Sequence, residues 1–164
     1  MKIFFKFFLL IGIIFLTGTS CMQVKTPEIQ ERVAAIDFKL QDLNNNFVTL
    51  SSYKDKKPVI LLFWTTWCPF CRDELNSLNK KYPQLAKEGW DVLAINVEES
   101  ASLVGVFLKK RPLAFKVLLD TDAHVTYSYD ILGVPTFILV NKEGFVVFKD
   151  NYFPEDKYRE LILK

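Results

Sequence analysis

Cysteine is the residue with the most chemistry to offer in this chain, and there are three: Cys21, Cys68 and Cys71. Cys68 and Cys71 are separated by Pro69 and Phe70. A bridge between them closes so short a loop that it constrains the unfolded chain little. The pair is therefore suited to reversible exchange rather than to stapling the fold. Exchange needs one thiolate that attacks and a second thiol that resolves the mixed disulfide. The apolar run 59–64 before Cys68 has the length of a strand, and Pro69 suits the first turn of a helix, where its missing N–H is not needed. Cys68 thus falls at a strand-to-helix junction, near the positive end of the helix dipole, which favours a thiolate. Cys71, one turn in, is the more shielded. Cys68 is expected to attack and Cys71 to resolve. A structural zinc site wants four ligands, and His124 is the sole histidine. Two thiolates, with or without His124, could hold Cu(I) instead.

The elements that must position this pair alternate along the chain. Residues 38–43 and 47–50, joined by Asn44-Asn45-Asn46, read as a hairpin. The run 59–64 is apolar on both faces, as a central strand is. After Pro69, Leu75, Leu78, Tyr82 and Leu85 recur at helical spacing, with a kink or break expected at Pro83 and a stop at Gly89. Strands are expected over 91–97, 115–119 and 136–140, the last joined by 141–144 to a hairpin partner at 145–148. Helices are expected from a Ser100 cap to Lys110, over 122–129, and over 154–163. This predicts an α/β fold with a central mixed sheet flanked by helices. His124, among polar residues, is expected at the surface. Trp64 is expected to pack, and Trp67 to shape the surface around Cys68.

The first twenty residues need a separate explanation. Lys2 and Lys6 precede an apolar run over 7–16, followed by the small and polar residues 17–20. This order is that of a secretory signal. The run is shorter than the roughly 20 apolar residues of a spanning helix. Without the two lysines the chain has as many basic as acidic residues. A neutral body without a basic cluster argues against nucleic acid as a partner. Residues 21–33 are mostly polar, contain Pro27, and read as a tether. Residues 34–164 are left for one domain.

Two resemblances sharpen these expectations. Cys21, just after small residues at the end of the apolar run, resembles the cysteine of a bacterial lipoprotein signal, which implies lipidation of Cys21 and a membrane anchor. Gly18 stands where that signal usually has Leu. The segment Phe63-Trp64-Thr65-Thr66-Trp67-Cys68-Pro69-Phe70-Cys71-Arg72-Asp73-Glu74-Leu75 resembles thioredoxin-like proteins of the envelope reductase type (TlpA/ResA-like). These are membrane-tethered thiol–disulfide proteins used in cytochrome c maturation and related work. The likeness extends to Asn96-Val97-Glu98-Glu99-Ser100 and Gly133-Val134-Pro135-Thr136, and covers about 36–163. Asn45 and Asp55 hold turn positions where the family often has Gly.

The family likeness implies a thioredoxin-like fold with an N-terminal β-hairpin, and a Cys68–Cys71 redox couple with no further cofactor. It implies client proteins with disulfides or thiols, a membrane electron-donor protein, and a location in the cell envelope outside the cytoplasm. Pro135 is implied to be a cis-proline facing the disulfide, exposing the backbone of Val134 to an incoming peptide. Trp67, Pro69 and Phe70 would border that peptide. Glu99 matches a glutamate near the thiols that could pass protons to or from sulfur, with Glu98 as its rival on the opposite side. Leu62 stands where thioredoxins proper carry a buried aspartate, which leaves Glu99 the best relay candidate. Two other activities are weighed against exchange. A peroxidase of related fold shares Thr65 three residues before its cysteine, but Leu61 stands where that pattern has Pro. Copper-assembly proteins of related fold space their cysteines one residue wider.

Overall fold

A computed structural model describes residues 32–161. The expected signal segment 1–20, Cys21 and the expected tether up to residue 31 lie outside them. β1 (Lys39–Asp42) and β2 (Phe47–Thr49) form the expected hairpin. The Asp42 carboxylate accepts the N–H groups of Asn44 and Asn46 at 2.8 and 2.9 Å, and Asn45 takes a left-handed φ of 62°. Leu50 does not continue the strand; it opens a 3₁₀ turn, Leu50–Tyr53, that buries Leu50 and Tyr53. Then follow β3 (Val59–Trp64), α1 (Pro69–Lys87), β4 (Asp91–Val97), α2 (Ala101–Lys110) and β5 (Lys116–Asp120). α3 (His124–Ser128), β6 (Thr136–Val140), β7 (Val146–Asp150) and α4 (Tyr158–Leu161) complete the described residues.

The strands make one seven-stranded sheet in the order β2-β1-β5-β4-β3-β6-β7. β3 pairs in parallel with β4, and β4 with β5, while β6 and β1 join antiparallel. Every residue of β3 is buried, because the alternation of side chains sends each face into a different core. Ile60, Leu62 and Trp64 meet Leu75, Leu78 and Leu85 of α1 and Val104 and Phe107 of α2. Val59, Leu61 and Phe63 face Leu50, Tyr53 and Val125 on the other side. The aromatic contact between Trp64 and Phe107, centroids 5.1 Å apart, ties α2 to the end of β3. No helix among the described residues is long and apolar enough to cross a membrane.

Three expectations are corrected. α1 runs unbroken through Pro83. Pro83 faces solvent, so the one carbonyl it leaves unbonded can turn to water while Leu78 and Leu85 hold the helix on the core side. α3 starts at His124, two residues later than expected, because Ala123 has a φ of 56°. The N–H groups of Val125 and Thr126 in its first turn are met by the carboxylate of buried Asp120 at 3.2 and 2.8 Å. α4 starts at Tyr158 rather than at Pro154, whose carbonyl accepts the N–H of Tyr158 at 2.9 Å in the preceding turn.

Candidate active site

Cys68 is the N-cap of α1, placed there by the buried strand β3 and the short link Thr65-Thr66-Trp67. It is joined to Cys71 by a disulfide with Cα atoms 5.2 Å apart. The Cys71 N–H, which has no partner inside the helix, points at Cys68 Sγ from 3.0 Å. Helix start and disulfide are therefore one structure. Cys68 is 4% exposed and Cys71 is fully buried. The difference has the expected sense, but Cys68 is far less open than its place at a helix start suggests. The loop carrying Val134 covers it, with the Val134 carbonyl oxygen 3.7 Å from Sγ. Around this shielded sulfur, Trp67 and Phe70 are 70% and 73% exposed, and Pro69 is exposed between them.

The Val134–Pro135 peptide bond is cis. Pro135 is buried, and its carbonyl accepts a hydrogen bond of 2.7 Å from the amide of Asn151. The same amide reaches Thr136 Oγ1 at 3.1 Å. Asn151 lies at the end of β7 and carries no sequence signal for this role.

Glu98 and Glu99 part company at the end of β4. Glu98 has a φ of 54° and is exposed; Glu99 is buried. One Glu99 carboxylate oxygen, Oε2, accepts the Thr66 N–H and the Asn96 amide, each at 2.7 Å. The other, Oε1, accepts the Thr66 hydroxyl at 2.6 Å. Glu99 thus ties the link before Cys68 to the end of β4. Asn96 was legible only as a polar interruption in an apolar strand. His124 is exposed on α3, and its Nδ1 lies 2.7 Å from the Asp122 carboxylate. That hydrogen bond, helped by the charges of Asp122 and Asp120 and opposed by slight desolvation, pushes the imidazole above its ordinary range.

Sheet order, the disulfide at the start of α1 and the facing cis-proline loop together define a thioredoxin-like protein. The sequence profile of the AhpC/TSA family matches residues 32–149, and the chain belongs to that family. It is 40% identical over 119 residues to the thiol-disulfide oxidoreductase ResA of Bacillus subtilis, covering 73% of this chain and 66% of that protein. To the ResA of Geobacillus kaustophilus it is 38% identical over 110 residues, covering 67% and 63%. The match therefore spans less than two thirds of the length of these relatives. Among solved structures, one described as a thiol:disulfide interchange protein DsbE from Chlorobium tepidum superposes with a TM-score of 0.71 at 28% identity, covering 80% of this chain and 94% of that one. The thioredoxin domain of a Bacteroides vulgatus thiol-disulfide oxidoreductase gives 0.68 at 27% identity, covering 78% and 92%.

Proposed function

We propose that this protein is a thiol–disulfide oxidoreductase whose Cys68–Cys71 couple exchanges electrons with disulfides of client proteins. The observation that carries this is the disulfide at the N-terminus of α1, under the carbonyl of Val134. In the reduced protein the Cys68 thiolate attacks one sulfur of a client cystine. A mixed disulfide forms, and the other client sulfur leaves as a thiolate and takes up a proton. The Cys71 thiolate then attacks Cys68 Sγ, releasing the second client thiol and restoring the Cys68–Cys71 disulfide. Two electrons pass to the client, and an external dithiol protein must return them. The Cys71 N–H and the dipole of α1 both favour negative charge on Cys68. Glu99, tied to Thr66 two residues away, is the candidate to hold or pass a proton. An extended client segment would lie along Val134 and Pro135, bordered by Trp67, Pro69 and Phe70.

The N-terminal segment supports a location in the bacterial envelope outside the cytoplasm. There Cys21 would carry a lipid anchor, residues 21–33 would lift the domain off the membrane, and a membrane protein would donate electrons. The sequence likeness to envelope reductases around Cys68 and Cys71 supports work in cytochrome c maturation. Equilibration of the protein with dithiothreitol and glutathione buffers, which together span reducing and oxidising couples, tests the chemistry. A single two-electron transition should appear, and either Cys68→Ser or Cys71→Ser should abolish it. A pair that stays oxidised or stays reduced across all buffers would overturn the proposal.

A further inference from the structure

Glu98 occupies a backbone shape that a glycine would hold more cheaply. For a side chain with a Cβ the left-handed region is strained. The shape has a local use: the Glu98 N–H donates to the Asp120 carbonyl at 3.0 Å, and the chain turns so that Glu99 points inward. That explains the turn but not the carboxylate. The Glu98 side chain borders a groove of about 470 Å³ beside the disulfide, whose walls include Thr65, Trp67, Tyr127, Leu132 and Val134. Trp67 and Tyr127 are each 70% exposed, and Leu132 is fully exposed. Glu98 is the one charged residue in that lining.

Among the described residues its carboxylate has neither ion pair nor hydrogen bond. The cations nearby are already engaged. His124 is held by Asp122 at 2.7 Å, and the Lys149 ammonium donates to the carbonyls of Tyr129 and Asp130 at 2.7 and 3.0 Å. The groove begins at Val134, whose carbonyl is 3.7 Å from Cys68 Sγ. A segment that brings a cystine to Cys68 along Val134 can send its neighbouring residues into the groove, at about 3.3 Å per residue.

We propose that Glu98 is a specificity residue that selects clients carrying Lys or Arg within a few residues of the cystine to be attacked. A carboxylate only accepts, so its partner must donate. The apolar walls suit the aliphatic stem of a basic side chain, and the exposed rings of Trp67 and Tyr127 suit its cationic head. This inference rests on the exchange chemistry proposed above.

Rates of oxidation of the reduced protein by three cystine peptides, identical except for Lys, Gln or Glu beside the half-cystine, test it. Hydroxyethyl disulfide, small and neutral, serves as the common reference. The wild type should prefer the Lys to the Gln peptide about threefold at low salt, the range of an exposed ion pair, and the preference should fade with added salt. Glu98→Gln should remove the preference and Glu98→Lys reverse it. Both keep a Cβ and the same backbone demand, and both should react with hydroxyethyl disulfide as the wild type does. Equal peptide rates in a wild type that oxidises normally with hydroxyethyl disulfide would overturn the role of Glu98 and leave the chemistry standing. A wild type inert to hydroxyethyl disulfide would overturn the chemistry and the selection with it.

Discussion

The three hydrogen bonds of Glu99 differ in what they tolerate. Oε2 receives two N–H donors, which can only donate, whereas Oε1 receives a hydroxyl that can turn round and accept. A glutamine with its carbonyl at the Oε2 position and its amide at Oε1 keeps all three contacts and loses only the charge. Glu99→Gln should therefore unfold in urea within about 1 kcal/mol of wild type. Glu99→Ala strands the Thr66 N–H and leaves the Asn96 amide only its long contact of 3.5 Å to the Trp64 carbonyl, and should cost about 1–3 kcal/mol. If Glu99 also handles protons, Glu99→Gln should change the pH profile of Cys68 alkylation by iodoacetamide, and Glu98→Gln should not; superimposable wild-type and Glu99→Gln curves would leave Glu99 a purely structural tie. At this scale the sequence carried the cysteines, the prolines and both glutamates, because spacing and local likeness expose them. Asn96, Asn151 and the capping by Asp120 stayed hidden, since each acts on a residue brought near only by the sheet.

α3 and α4 show why element ends are harder to read than element cores. β3, β4, β6 and α2 lie where their apolar patterns put them, because a run buried on both faces, or a Ser100 cap followed by helical spacing, leaves one solution. α1 stops just before Gly89, as expected, with Gly89 at a φ of 88°, whereas α4 is held to that end by a partner distant in sequence. Glu88, just past Lys87, takes the guanidinium of Arg159 at 2.6 and 3.1 Å and the hydroxyl of Tyr158 at 2.9 Å. The Arg159 hydrogen bond, aided by Gln84 and Tyr158, holds the Glu88 carboxyl down to about 2. A carboxyl lowered in the folded state adds stability that is complete above its ordinary value near 4.5 and is lost as pH falls toward about 2. Wild type should exceed Glu88→Gln in thermal midpoint at neutral pH, with the gap closing across that acid window. A gap unchanged between pH 6 and pH 2.5 would mean that Glu88 does not tie α4 to α1.

Across the whole molecule, the sheet puts the chemistry at one end. The parallel strands β3 and β4 deliver the link before Cys68 and the Glu98–Glu99 corner side by side, and β6, antiparallel to β3, begins at that same end, just after Val134 and Pro135. The sequence order of strands and helices predicts this class of fold; the strand order across the sheet, which brings residue 134 to residue 68, follows from long-range pairing that no local pattern encodes. The central claim is that Cys68 is the sulfur that meets the client. Capturing a cystine-containing protein with reduced Cys71→Ser and with reduced Cys68→Ser, then mapping the products by mass spectrometry, addresses it directly. Cys71→Ser should accumulate a mixed disulfide through Cys68, and Cys68→Ser should capture little, because Cys71 is fully buried. Capture through Cys71 with equal or greater yield, or no capture by either variant, would contradict the account.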